Sequence, residues 1–284
     1  MSAKILDGNA IAKAIRGDVA VQVENLRVSR QIQPSLKVIL VGDNPASALY
    51  VRLKKRDCEE TGIKCSIVNL PSSSKNSDLT AVIEQLNGDE SVHGILLQLP
   101  LPPHIDSTRV IERIRPIKDV DGITPFNLGM LTMRQPAHRC CTPKGVMTLL
   151  AQTKLDLLGR HAVVVGASNH VGRPMCLELL MAGCTVTVCH RHTRNTKDYT
   201  QQADVLVTAT GKGGLIQKSW VKPNSVVIDV GIETQVDGTL QGDVDFENVK
   251  EVAAWLTPVP GGVGPMTRVS ILQNLLDAIE APLP

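Results

Sequence analysis

Residues Gly166-Ala167-Ser168-Asn169-His170-Val171-Gly172 form a loop with a glycine at each end. It is entered from the apolar run Ala162-Val163-Val164-Val165 and left through Arg173 to Leu180, whose apolar residues have helical spacing. A strand, a glycine turn and a helix in that order aim backbone N–H groups and the positive end of a helix dipole at a pyrophosphate. The spacing is GxSxxxG instead of GxGxxG, so the surroundings have to carry the reading. Gly183 stops the helix, and Thr185 to His190 supply a further strand about 20 residues on, where a ribose contact belongs. A glycine turn that binds nothing is the alternative.

At the end of that further strand an NAD-selective site carries an acid that accepts from the ribose 2′-hydroxyl. This chain reads His190-Arg191-His192-Thr193-Arg194 instead. A guanidinium there suits a 2′-phosphate through forked, charge-assisted hydrogen bonds, so NADP is the expected cofactor and Arg191 its contact. A solvated basic turn would read the same way. No acid or thiolate stands at a ligand spacing from His190 and His192, and no metal is expected.

A second polar group lies in the first half. Asn44 and Pro45 make a helix start, cap then first residue, and the helix that follows carries Tyr50 and Lys54 one turn apart on a shared face. Gln98 ends the apolar run Gly94-Ile95-Leu96-Leu97, and Asp121 stands beside Gly122 in an aperiodic segment. Strand ends of an open parallel sheet border its crevice, where a lysine could move a proton and a carboxylate could accept from a ligand. Residue types leave other readings open: a solvated lysine among Arg52, Lys55 and Arg56, a loop hydrogen bond for Gln98, a turn carboxylate for Asp121.

Positioning these groups takes an α/β fold. Strand candidates at 36–41, 65–70 and 94–99 alternate with helical stretches at 10–26, 51–60 and 78–87; further strands fit 162–165, 185–190, 204–210 and 225–230, and a closing helix fits 267–279. The aperiodic stretch from Arg115 divides the chain. The expectation is two domains with parallel sheets and a cleft between them: residues 1–122, joined by a returning C-terminal helix at 266–284, and a Rossmann-like dinucleotide-binding domain at 123–265. Thirty basic and 28 acidic residues leave a net charge of +2, and Trp, Tyr and Phe occur twice each, which argues against nucleic-acid binding. Seven cysteines without a paired spacing suit a reducing compartment. No leader or spanning run is apparent, so a soluble cytoplasmic protein without membrane contact is expected.

Several segments together bear a family resemblance: Tyr50-Val51 with Lys54, Gln98-Leu99-Pro100-Leu101-Pro102, Lys118-Asp119-Val120-Asp121-Gly122, Gly166-Ala167-Ser168 with Val171-Gly172-Arg173-Pro174, and Pro258 to Thr267. Over nearly the whole chain they resemble the bifunctional methylenetetrahydrofolate dehydrogenase/methenyltetrahydrofolate cyclohydrolase family in its short bacterial form. Shikimate-type dehydrogenases share the expected architecture but would not explain the segment from Pro258.

The resemblance implies NADP-dependent oxidation of 5,10-methylenetetrahydrofolate to the methenyl form, then hydrolysis to 10-formyltetrahydrofolate, in one-carbon metabolism. It makes Lys54, Gln98 and Asp121 the catalytic set and Tyr50 a platform for the folate rings, with Leu99, Pro100, Pro260, Gly261 and Gly262 bordering the substrate. Thr142, Gly166, Ala167, Ser168, Val171 and Ile232 would hold the dinucleotide with Arg191, and the chain would form a homodimer. Many members have arginine where this chain has Ala167, which shifts the 2′-phosphate onto Arg191, and lysine where it has Arg56.

Reversing the charge at Arg191 tests the cofactor reading. Arg191→Glu should weaken NADP roughly ten- to a hundredfold, the equivalent of about 1.5–3 kcal/mol, while barely changing NAD. Titration of both dinucleotides into both proteins checks it, and equal affinity of the unmutated chain for the two would overturn it.

Overall fold

The computed structural model describes residues 2–235 and 237–280. The first half runs β1 (Lys4–Ile5), α1 (Gly8–Arg30), β2 (Ser35–Val41), α2 (Pro45–Glu60), β3 (Lys64–Leu70), α3 (Asn76–Gly88), β4 (Gly94–Leu97), α4 (Ser107–Ile111) and α5 (Pro125–Thr132). There follow α6 (Cys141–Gln152), β5 (His161–Val165), α7 (Gly172–Met181), β6 (Thr185–Cys189), α8 (Thr196–Thr200), β7 (Val205–Thr208) and β8 (Val226–Asp229). A β9–β10 hairpin (Glu233–Thr234, Leu240–Gln241), α9 (Phe246–Val249), β11 (Trp255–Leu256) and α10 (Val263–Glu280) complete the order. Among the described residues no helix is long and apolar enough to cross a membrane.

Two compact units emerge, one of Lys13–Cys141 with Arg268–Pro284, the other of Met1–Ala12 with Thr142–Thr267. The first unit is built on a parallel sheet of order β3-β2-β4. Alternation along β2 explains why helices cover both faces. Leu36, Val38 and Leu40 pack with Val19, Val23 and Leu26 of α1, Val51 and Cys58 of α2, and Leu272, Leu275 and Leu276 of α10. Ile39 and Val41, with Ile95 and Leu97 of β4, face the opposite way onto Leu79, Ile83 and Leu86 of α3 and Val110 and Ile111 of α4. Asn44 caps α2 as its sequence suggests, accepting from Ser47 N at 3.1 Å, with Pro45 in the first turn.

The segment after α4 has no apolar period because polar side chains hold it. Lys118 is buried, and its Nζ donates to the carbonyls of Leu86, Asn87 and Asp89 at 2.9, 3.0 and 2.7 Å, closing the C-terminal end of α3. Asp119 is buried as well and accepts from Gly122 N (3.0 Å), Thr124 N (2.8 Å) and Asn127 Nδ2 (2.9 Å), which ties α5 to the turn preceding it.

The second unit holds a six-stranded sheet of order β1-β11-β8-β7-β5-β6, parallel throughout. Val163, Val165, Leu206, Val227 and Leu256 share one cluster on it, and α7 lies against β5 and β6. Its outer strand on one side is β1, paired with β11 through Lys4↔Trp255 and Ile5↔Leu256, with the Lys4 ammonium 5.1 Å from the Trp255 ring centroid.

These pairings make the division differ from a cut at 122/123. The first twelve residues group with the six-stranded sheet because β1 hydrogen-bonds to it, and residues 123–141 stay with the first unit because Asp119 and Asn127 anchor α5 there. The closing helix begins at Val263, and the expected residues 281–284 lie outside the described residues.

Asp119→Ala would leave the Thr124 N–H without its acceptor in the interior and take one acceptor each from Gly122 N and Asn127 Nδ2, which keep Asp119 O and Pro116 O. Leaving a buried donor unpaired and two others short of an acceptor costs on the order of 3 kcal/mol in such a knot. The expected outcome is a lower urea midpoint at an unchanged slope of unfolding, measured by far-UV circular dichroism.

Candidate active site

In the first unit, the carboxyl end of β4 meets α2. Gln98 N donates to Ile39 O (2.9 Å) and Gln98 Nε2 to Leu99 O (2.6 Å), so the amide's orientation is set and its Oε1 is free to accept. Lys54 Nζ donates to that Oε1 at 2.9 Å. Burial lowers the proton affinity of Lys54 below the ordinary lysine range. The Asp121 carboxylate opposes that shift, and the Arg268 guanidinium adds to it. Tyr50 and Asp121 are half-buried, as is Leu99, while Pro100 is exposed after a cis peptide bond. Tyr50, Lys54, Gln98, Leu99, Pro100 and Asp121 therefore all belong to this unit, and Lys54 is joined to Gln98 by a hydrogen bond and to Asp121 by charge.

The second unit contains the glycine loop at the carboxyl end of β5. Gly166 has φ +129° and its N–H donates to Cys189 O at 2.8 Å, pinning the turn to β6. A methyl group on Gly172 would collide with the Gly166 carbonyl, so the loop closes on itself through its two glycines. That closure accounts for the long spacing. Ser168 Oγ accepts from Val171 N (3.2 Å) and Gly172 N (3.4 Å), a serine taking the place of the middle glycine by organising the start of α7. Ala167 and Val171 are half-buried beside it.

Arg191 is exposed, two residues beyond the Cys189 carbonyl that holds Gly166, and its Nε donates to His192 Nε2 at 3.0 Å. Its turn is closed by His190 N to Thr193 Oγ1 at 2.9 Å. Ile232, 38% exposed, follows β8 at the same end of the sheet. A glycine cradle open to backbone approach, an exposed guanidinium after β6 and an apolar side chain after β8 fit a phosphorylated dinucleotide.

Thr142 and the loop residues Pro260, Gly261 and Gly262 also fall in this second unit. Thr142 Oγ1 lies 3.0 Å from Thr267 Oγ1. Gly261 has φ +105° and accepts from Asn9 N at 3.1 Å, while a Cβ on Gly8 would strike the Gly262 carbonyl. The Pro-Gly segment is thus packed on the start of α1.

Sequence reasoning passed over the buried acids behind these loops. Asp243 accepts from Thr208 Oγ1 (2.7 Å), Thr210 N (2.6 Å) and Lys212 N (2.8 Å); Asp229 accepts from Gly231 N (3.0 Å) and Val244 N (2.9 Å). Burial, reinforced by Asp243, pushes Asp229 up to about 7. The signal was available in Gly231 and Gly242, each packed where a Cβ would meet one of these carboxylates.

A parallel sheet with such a loop defines a dinucleotide-binding α/β protein, and the comparisons with known proteins narrow the class. Residues 6–121 match the tetrahydrofolate dehydrogenase/cyclohydrolase catalytic domain and residues 140–282 the NAD(P)-binding domain of the same name. The chain belongs to the tetrahydrofolate dehydrogenase/cyclohydrolase family. It is similar to the bifunctional methylenetetrahydrofolate dehydrogenase/cyclohydrolase of Campylobacter jejuni, at 45% identity and TM-score 0.96 over 99% of this chain and 100% of that one. The Trypanosoma brucei enzyme, solved with NADP and an inhibitor, is 36% identical with TM-score 0.95 over 99% and 98%. A shikimate dehydrogenase of Aquifex aeolicus, 13% identical at TM-score 0.52 over 89% and 95%, shares the fold alone.

Gly172→Ala tests the cradle. The added methyl must displace the Gly166 carbonyl, so NADP affinity should fall at least about tenfold, the equivalent of roughly 1.4 kcal/mol, with folding retained. Calorimetric titration and a circular dichroism melt together check this.

Proposed function

We propose that this chain oxidises 5,10-methylenetetrahydrofolate with NADP and hydrolyses the methenyl product to 10-formyltetrahydrofolate, with Lys54 as the proton carrier. The observation that supports this reading best is the half-buried Lys54 ammonium held at 2.9 Å by Gln98 Oε1, with the Asp121 charge nearby. NADP, when bound, supplies the hydride acceptor for the substrate's methylene carbon. The residues' own task in that step is alignment. Tyr50 offers a ring for the folate to stack on, Asp121 accepts from the pterin's amino edge, and Leu99, Pro100, Pro260, Gly261 and Gly262 border the rings. Gly166, Ala167, Ser168, Val171, Thr142 and Ile232 hold the dinucleotide, and Arg191 takes its 2′-phosphate.

Hydrolysis makes a different demand. Water adds to the methenyl carbon as it loses one proton to a base; the carbon–N5 bond then breaks as N5 gains a proton from an acid and the remaining hydroxyl proton leaves to solvent, forming the formyl C=O. An ordinary lysine is protonated at neutral pH and cannot begin that sequence. Burial shifts Lys54 in the direction of the neutral amine, and Gln98 Oε1, an acceptor only, holds the ammonium form with its remaining protons available to give back. On the resemblance alone, the same proposal includes a homodimer working in the cytoplasm.

Lys54→Met keeps the length of the side chain and removes its proton carrier. Cyclohydrolase activity should be lost, roughly 10²- to 10⁴-fold, while some dehydrogenase activity survives at a rate lowered by looser alignment. Supplying methenyltetrahydrofolate directly and following its disappearance above the spontaneous rate checks this; near-normal hydrolysis would overturn the role of Lys54 as proton carrier.

A further inference from the structure

Asp57 stands one turn beyond Lys54 on α2, fully buried, in a position that neither the dinucleotide nor the folate reading uses. Its carboxylate is gripped from two other helices: Arg268 Nε of α10 lies 2.5 Å from Oδ2, and Arg16 Nη1 of α1 lies 3.6 Å from Oδ1. Arg16 Nε also reaches Glu60 Oε2 at 3.0 Å, so two acids and two arginines balance in charge. The Arg268 side chain is only 12% exposed. A buried ion pair of this kind adds little stability over an apolar pair of equal shape, so its presence beside a working lysine calls for another reason.

We propose that Asp57 and Arg268 are positioning residues for the hydrolysis step: their ion pair holds the α2 face that presents Lys54 and sets how much positive charge that lysine meets. The inference rests on Lys54 being the proton carrier. Among the described residues Arg268 is a cation that presses on Lys54, and the carboxylate paired with it is Asp57. The other groups facing Lys54 are Asp121 from the connecting segment, Cys141 at the start of α6, Cys58 of α2 itself and the neutral Gln98. Cys58 carries no charge at neutral pH, because its hydrogen bond with Cys65 and its burial push the thiol up.

The signs follow from charge alone. Removing the Arg268 cation lets Lys54 hold its proton more tightly, so the neutral base appears only at higher pH. Removing the Asp57 anion leaves Arg268 uncancelled, so Lys54 releases its proton at lower pH. A pair that served only to hold helices together would give no such opposition.

The experiment compares the unmutated chain with Arg268→Gln, Arg268→Lys and Asp57→Asn by two readouts. One is the pH dependence of cyclohydrolase kcat; the other, independent of activity, is the pH dependence of Lys54 acylation by an amine-labelling reagent, read by peptide mass spectrometry. The acid limb and the labelling midpoint should both move to higher pH in Arg268→Gln, to lower pH in Asp57→Asn, and stay near the unmutated values in Arg268→Lys. Shifts of the same sign, or none, would overturn the proposal. If Asp57→Asn does not fold, the contrast between Arg268→Gln and Arg268→Lys decides it. A labelling midpoint that moves while the kcat profile stands still would overturn the role of Lys54 as carrier, separating failure of that reading from failure of the ion pair.

Discussion

An amine taken partly out of water must either find acceptors or lose its proton, and Lys54 is held between these outcomes. It has one short acceptor, Gln98 Oε1, and much of the first unit serves to keep that acceptor still. The Gln98 backbone N–H is pinned by Ile39 O and its side-chain Nε2 by Leu99 O, which leaves Oε1, and not the NH₂ group, facing the lysine. Beneath it, β2 and β4 are closed by apolar side chains on both faces, so the strand end is rigid. Asp121 is delivered by a segment whose own course is set by Lys118 and Asp119, residues that do no chemistry but bind backbone. The motif Lys118-Asp119-Val120-Asp121-Gly122 therefore mixes two kinds of residue, structural ones at its start and one that faces the lysine.

The second unit solves a different problem, that of offering N–H groups to an anion without leaving the loop shapeless. Two glycines in contact close the turn and a serine hydroxyl occupies the first donors of α7. Asp229 and Asp243 do comparable work behind the neighbouring loops by accepting backbone N–H groups that no strand partner could reach. Polar groups in both units thus act mainly on the main chain, and the reactive side chains are few.

Much of this was legible in the residues because periodicity reports burial. The central strands β2 to β8 lie within a residue or two of where their apolar runs put them, and the Asn44-Pro45 start of α2 follows from capping chemistry. Two-residue strands such as β1 and β11 show no alternation, so Lys4 and Ile5 gave no sign of joining a distant sheet. Helices α5 and α6 were hidden for another reason: Asn127 is buried for its hydrogen bonds and Cys141 heads α6 beside a turn, so neither has the face pattern of an amphipathic helix. The pairing of Asp57 with Arg268 spans 211 positions, and nothing local marks either residue as a partner. Placement of single side chains on a helix face was readable; what those side chains meet from other elements was not.

The pairing of β1 with β11 also bears on how the chain acquires its structure. A ribosome delivers β1 first, yet the strand it lies against is made some 250 residues later, and the core of the other unit likewise waits for Ile271 to Ile279 of α10. Neither unit is a contiguous stretch of polypeptide, so neither can be finished until its C-terminal part has been made. Long-range closures of this kind slow folding and leave sheet edges uncovered for longer. Early β2 to β4 can assemble as a local parallel sheet, but it must spend the remainder of translation with the surface destined for α10 bare, a period in which a chaperone has something to hold.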